Sequence, residues 1–391
     1  MNEQLLLLDI NHLKQHGAYF TAREISQQPD LWKKIWEKIE HQKDALWAFL
    51  QQAYSMADNI ILTGAGTSAY IGMSLSGIFF RNTGIHTRAV PTTDLVSHPY
   101  DYFHKDHIPL IISFARSGNS PESCAALELA DKLSRGCYHL IITCNESGDL
   151  AAYKSGQSAY IFTLPPDSND KSLAMTSSYT GMLLAGTIIA QASHDEGMSD
   201  QVKLLCQYGE HILQQYASLL YSIANQDFSR AVFLGNGALS GTATEAQLKL
   251  QELTNGKVIC KNDTFLGFRH GPKAVIDEKS LVVYFFSQSD YVLNYERDLV
   301  TSMKKGNKAL MEIGIMESHY AGVELDAVIV LSAGNSSLHE DLLPVVSIVP
   351  AQMLAFYKSL ALGLQPDTPS LNGAISRVVQ GVEIYPLTTG S

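Results

Sequence analysis

The sequence predicts an α/β protein of two tandem units, each a parallel sheet covered by helices on both faces, with a helical extension in front. Three observations carry this prediction. Short, continuously apolar runs of strand length alternate with segments of helical length. The opening run of each half breaks off into a glycine turn that leads straight into a helix. The two openings, at Gly64 and Gly235, lie about 170 residues apart, so each half has the size of a domain. Strands that are apolar throughout, rather than at alternate positions, belong to sheets buried on both faces.

Taken in order, the first sixty residues read as helical: Leu31, Trp32, Ile35, Trp36, Ile39 and Leu46 recur at helical spacing with Lys and Glu between them. Asn59 to Thr63 is a buried strand ending in Gly64-Ala-Gly66-Thr67-Ser68, and Ala69 to Phe80 is the helix behind it. Thr87 to Val90, Leu110 to Phe114 and His139 to Thr143 are further strands, and Pro121 to Leu133 and Tyr179 to Ala190 are helices. Asp200 to Ser222 links the halves as a helix. The second unit opens near Arg230 with the strand Ala231 to Leu234, the turn Gly235-Asn-Gly237 and a helix from Ser240 to Asn255. Strands follow at Ser280 to Phe286 and Ala327 to Ser332. The tail carries Pro366, Pro369, Gly373 and the segment Val378 to Ile384. The expected divisions are an extension over 1–45, units over 46–205 and 206–365, and a tail over 366–391 that closes over the site.

Composition limits the function. Of 391 residues, 46% are apolar and 17% charged, ample for filled cores and too apolar for disorder. The formal charge is −11. Such a chain is not steered to nucleic acid or anionic lipid by its overall field, so neither is expected as a partner. Any anionic ligand has to be held locally. The five cysteines show no CxxC spacing and there is no HExxH, so neither a disulfide framework, a zinc site nor a cofactor is expected. His98, His104 and His107 fit no common metal spacing and read as a solvated loop. The N-terminus lacks a basic signal-peptide region. The longest apolar stretch, read as Gly181 to Ala192, falls short of the roughly 18 residues a membrane span needs. A soluble, cytoplasmic protein is expected.

Ligands of open α/β sheets sit at the carboxyl ends of strands, where helix N-termini present free N–H groups. Four segments of the first half combine that position with hydroxyls or amides: Gly64 to Ser68, Arg116-Ser117-Gly118-Asn119-Ser120, Asn145 to Gly148, and Ala174 to Ser178. Singly, each is a helix cap. Together they suit a phosphate monoester, whose oxygens need several donors.

In the second half, Glu245, Lys249 and Glu252 share one face of the predicted helix. Spacing alone also allows an exposed stripe of surface charge. Gly267-Phe268-Arg269-His270-Gly271-Pro272-Lys273 places His270 on a turn, where a lone His is commonly structural or solvated. A helix carboxylate, a nearby Lys and a loop His are nonetheless the parts needed to move protons around a carbonyl carbon.

These segments, with Glu122, Val90-Pro-Thr-Thr-Asp-Leu95, Met175-Thr-Ser-Ser178 and Arg377-Val-Val-Gln-Gly-Val382, resemble the sugar isomerase (SIS) domain family in tandem over nearly the whole chain. The resemblance implies two three-layer αβα, flavodoxin-like domains. It draws the chain toward the bacterial galactosamine-6-phosphate deaminases, also called tagatose-6-phosphate ketose/aldose isomerases. It further implies that Ser117 and Ser120 hold the phosphate, with Gly66, Thr67, Ser68, Asn119 and Ser177 nearby. Glu252 matches the enolisation base, Lys249 and Glu245 match its neighbours on the helix, and His270 matches the ring-opening His. In the isomerase half of glucosamine-6-phosphate synthase that His comes from the neighbouring subunit, which implies a homodimer or higher oligomer. Two departures stand out. Ala115 and Arg116 replace a Ser and a neutral residue of the family pattern, and Arg377 is the nearest counterpart of the synthase's catalytic tail Lys. Arg stays charged, which leaves no Schiff-base role at that position.

The implied reaction converts galactosamine 6-phosphate to tagatose 6-phosphate and ammonia. A plain ketose/aldose isomerase is the alternative. A non-catalytic sugar-phosphate sensor is a third, disfavoured because no helix-turn-helix or basic stripe accompanies the domains.

Overall fold

The computed structural model describes residues 4–191, 197–334, 336–370, 372–379 and 381–387. Ala192 at the end of the apolar stretch, Gln380 in the tail motif and the extreme ends of the chain lie outside the described residues. In the first half, β1 (Asn59–Thr63), β2 (Thr87–Ala89), β3 (Pro109–Ala115), β4 (Tyr138–Thr143) and β5 (Ser158–Thr163) form a parallel sheet in the order 2-1-3-4-5. In the second, β6 (Arg230–Gly235), β7 (Ile259–Asp263), β8 (Ser280–Phe285), β9 (Met311–Met316) and β10 (Ala327–Val330) are ordered 7-6-8-9-10. The two orders are equivalent, so the duplication extends through each whole unit. The expected α/β class, with two parallel sheets in tandem, is what the chain adopts.

The openings of the halves match in detail. Thr63 pairs with Ser113 in one sheet and Leu234 with Tyr284 in the other. Gly66 (φ 56°, ψ −128°) and Gly237 (φ 54°, ψ −126°) adopt the same backbone conformation, one that disfavours a side chain. Strands β5, β7 and β9 escaped the sequence reading. The first two are edge strands with mixed polarity, and Glu312 and Gly314 interrupt the apolar run of β9.

Helix α1 (Gln28–Met56) follows short helices at Ile10–Gln15 and Tyr19–Ser26 and crosses residue 45, so the extension and the first unit share one helix. The first unit adds α2 (Thr67–Thr83), α3 (Pro121–Leu133) and α4 (Ser177–Ala190). The linking segment is two helices, α5 (Met198–Gln215) and α6 (Ala217–Ala224). The second unit carries α7 (Ala238–Leu253), α8 (Asp290–Met303) and α9 (Leu343–Ala361).

Alternate strand residues face opposite ways. Leu62, Ile112, Phe233 and Val283 enter one core shared by both sheets and helices α2, α4, α7 and α9. Ile61 and Ile111 face an outer core with α3, while Val232 and Val282 face another with α8. The sheets are thus joined through a common helical layer. Within it α2 and α7 approach so closely that a Cβ on Gly241 would lie 2.7 Å from the Tyr70 carbonyl oxygen.

Helix α9 corrects the expectation about apolar length. The segment Glu340–Ala361, not Gly181 to Ala192, is the long one: 22 residues, long and apolar enough to cross a membrane by length and composition alone. From Asp341 to Ser359 it is buried, between the two units. Its apolar residues surround the axis, which removes the helical period, and Pro350 argues against a helix locally.

Candidate active site

In the first sheet the order in which strands are added reverses between β1 and β3, the place where open α/β sheets bind ligands. A cleft of about 560 Å³ opens there. Its walls are the β1–α2 turn, the β3–α3 loop, the C-terminal part of α7 and the tail segment 373–379. The starts of α2, at Gly66, and α3, at Ser120, have no side-chain cap and face this region, a setting that favours an anion. Gly66, Thr67, Ser68, Arg116, Ser117, Ser120 and Arg377 all line the cleft, from three separate parts of the sequence.

Lys249 and Glu252 face them from α7. Lys249 is fully buried, with Nζ 2.6 Å from Oε2 of Glu252, 3.3 Å from Oε1 of Glu245, and donating to Thr67 Oγ1 at 3.1 Å. The charged face of α7 is therefore turned inward and bridges the two halves; it is no solvated stripe. Burial pushes the Glu245 carboxyl up to about 8, with the attraction of Lys249 only partly opposing it. Burial pulls Lys249 down, but Glu245 and Glu252 outweigh it and hold the ammonium above its usual value. The result is a buried cation held against the partly buried Glu252, with a largely protonated Glu245 behind it at neutral pH.

Arg116 is buried, and its guanidinium is committed to carbonyls: Ser172 at 3.2 Å, Leu173 at 2.9 Å and Arg377 at 2.5 Å. Arg377 in turn donates from Nε to the Asp170 carbonyl at 2.8 Å and from Nη2 to Asn169 Oδ1 at 2.6 Å. The two arginines tie the tail across the mouth of the cleft. A network that sequence reasoning missed supports them. Asp170 accepts from the backbone N–H groups of Thr176 (2.8 Å) and Ser178 (2.9 Å). Glu24, from the extension, accepts from Lys171 N and Ser172 N. Burial, then Asp170, pushes Glu24 up to about 8. Asp170 sits in the polar run 167–172, which reads as surface loop, so nothing local announced a buried acid.

Besides Glu245, buried behind Lys249, three expected residues stand outside the cleft lining. Ser177 is buried, bonded to Asp170 and receiving a hydrogen bond from Gln27 Nε2 at 3.1 Å. Asn119 Oδ1 accepts from Asp149 N at 3.1 Å. His270 is exposed on the turn after Phe265–Phe268 and does not line the cleft of its own chain. His104 and His107 stack edge to face and are exposed, with His104 3.5 Å from Asp106. Among the described residues, Asp131, Cys137 and His139 are the group close enough to hold a metal. They fit packing better: Asp131 already accepts from His139 (2.6 Å), Tyr153 (2.9 Å) and Ser155 (2.7 Å).

The SIS domain profile matches residues 53–192 and 222–362. The chain is 41% identical to the D-galactosamine-6-phosphate deaminase AgaS of Shewanella sp. (strain ANA-3), over 97% of this chain and 95% of that protein. A Clostridium novyi NT structure described as a candidate tagatose-6-phosphate ketose/aldose isomerase is 38% identical, with a TM-score of 0.95, covering 99% of this chain and 100% of that one. The tagatose-6-phosphate ketose/aldose isomerase of Escherichia coli is 36% identical, with a TM-score of 0.85 and coverage of 94% and 96%. With two matched segments on two sheets of equivalent strand order, the chain belongs to the SIS domain family as a tandem pair.

Proposed function

We propose that the chain is an isomerising deaminase that converts D-galactosamine 6-phosphate and water into D-tagatose 6-phosphate and ammonia. The observation that carries this reading is the placement of Glu252 and Lys249 opposite the hydroxyl-bearing loops of one cleft. The phosphate takes the α3 N-terminus with Ser117 and Ser120, and the sugar extends toward α7. After ring opening, the Glu252 carboxylate removes the C2 proton of the aldehyde and returns it to C1, by way of an enolamine. The buried Lys249 ammonium lies where charge develops on the C1 oxygen. The resulting ketimine at C2 takes up water and expels ammonia. His270, exposed and outside its own cleft, serves ring opening in the cleft of a second copy, which makes the enzyme a homo-oligomer. All five cysteines are free thiols, which supports action in the reducing cytoplasm.

The relatives named as deaminases favour this over the plain isomerase for which the similar solved structures are named. Incubating the pure protein with galactosamine 6-phosphate should yield ammonia and tagatose 6-phosphate in equal amounts. If neither product forms, the reading is wrong. Interconversion of tagatose 6-phosphate with an aldose phosphate, and no release of ammonia, would establish the plain isomerase instead.

A further inference from the structure

The duplication places a second cleft in the second unit. Gly66 and Gly237 are 171 residues apart, and the strand registers keep that interval. Moved along by it, the walls of the first cleft become those of another, also about 560 Å³, formed by Asn236 to Leu239, Ser287 and Ser289. The same interval brings Arg81, near the end of α2, to the position that Glu252 holds on α7, and Arg81 lines this second cleft. A guanidinium cannot accept a proton from carbon. The second unit repeats the pocket without the carboxylate.

Two helix starts open on the second cleft, α7 at Gly237 and α8 at Ser289, neither with a side-chain cap. Both favour an anion. Facing them, Glu340 accepts a hydrogen bond from Ser287 Oγ at 2.5 Å, and Asp341 pairs with Arg81. The side chains of this wall thus bring one cation and two carboxylates. A bare phosphate would meet excess negative charge, whereas a ligand carrying both phosphate and ammonium meets a partner for each.

We propose that the second cleft is a non-catalytic binding site for a phosphorylated amino sugar. The phosphate points to Arg81, Ser289 and the α8 start, and the ammonium to Glu340 and Asp341. The choice of an amino sugar rests on the functional reading of the first cleft. The clefts share their helices: α2 starts at the first and ends at the second, and α7 starts at the second and carries Lys249 and Glu252 at the first.

Calorimetric titration of the Glu252→Gln protein with galactosamine 6-phosphate tests this. Two sites per chain are expected. Arg81→Ala, added to Glu252→Gln, should remove one, and the pair Ser117→Ala and Ser120→Ala should weaken the other at least tenfold. Because Arg81 also pairs with Asp341, Ser289→Leu serves as a second variant that fills the cleft and leaves that pair intact. Inorganic phosphate and tagatose 6-phosphate, which lack the ammonium, should bind the second site at least tenfold more weakly. A single site, or none, that neither Arg81→Ala nor Ser289→Leu alters overturns the proposal. Equal binding of inorganic phosphate overturns its ligand assignment. Two sites in a protein that releases no ammonia from the amino sugar would reject the catalytic reading and retain the second site.

Discussion

Lys249 reaches Glu252 from one turn earlier on the same helix, with 2.6 Å between Nζ and Oε2. The same ammonium touches Glu245 and Thr67, so Glu252, its buried cation and the loop of the other half form one unit. The contact also aims the carboxylate. A Glu on an exposed helix face samples many rotamers, whereas Glu252 is tied to a residue that cannot move.

Replacing Glu252 with Gln should leave substrate affinity within about threefold and lower kcat by roughly 10²–10⁴-fold, the usual range for a general base. Run in deuterated water, the wild type should place deuterium at C1 of the ketose and the variant should not. Turnover within tenfold of wild type would assign the proton transfer to another group.

Lys249→Met preserves length and removes the charge. On the proposed mechanism a loss of about 10²-fold or more in kcat is expected, with KM little changed, because there the ammonium acts on charge that develops only in the transition state. Loss confined to KM would mean that Lys249 only binds the ground state.

Much of this arrangement is legible in the sequence, and the boundary of legibility is physical. Central strands such as Asn59–Thr63 and Leu110 to Phe114 are apolar on both faces because both faces are covered, and so they declare themselves. Glycine turns at Gly66 and Gly237 declare themselves because few other residues fit there. Helix α9 does not, since burial on every side erases the contrast on which helix recognition depends. The site divides in the same way. Glu245, Lys249 and Glu252 share a helix face and can be grouped by spacing. The partners of Arg116, namely Ser172, Leu173 and Arg377, are brought together only by the fold. The turn that carries His270 can be read from its Gly-Pro neighbours, but only the fold shows that His270 lies outside the cleft of its own chain.

Arg116→Lys should release the tail. One ammonium cannot span three carbonyls that a planar guanidinium reaches at once. Limited proteolysis should cut the variant faster between residues 372 and 387, and KM for the phosphosugar should rise several-fold while kcat falls less. Wild-type cleavage rates would show that the tail is held by other contacts.

Glu245→Gln separates stability from catalysis through pH. Burial holds the Glu245 carboxyl at about 8, against an ordinary value of 4.5. Below 4.5 it is protonated in both the folded and unfolded chain and has no effect on stability. Between 4.5 and 8 the folded chain keeps a proton that the unfolded chain has released. Stability therefore falls as pH rises through this window, by up to about 1.4 kcal/mol per pH unit for one proton. Glu24, held at about 8, and Glu296, held at about 7, act in the same direction. Gln in place of Glu245 removes one of these three slopes and keeps an acceptor for Thr67 and Lys249. Chemical denaturation at pH 6 and pH 8.5 should show the wild type losing more stability than Glu245→Gln over that interval. At pH 8.5 the variant should be at least as stable as the wild type, even though its kcat is reduced. Parallel pH profiles for the two proteins would mean that Glu245 is ionised in the folded chain throughout, paired with Lys249.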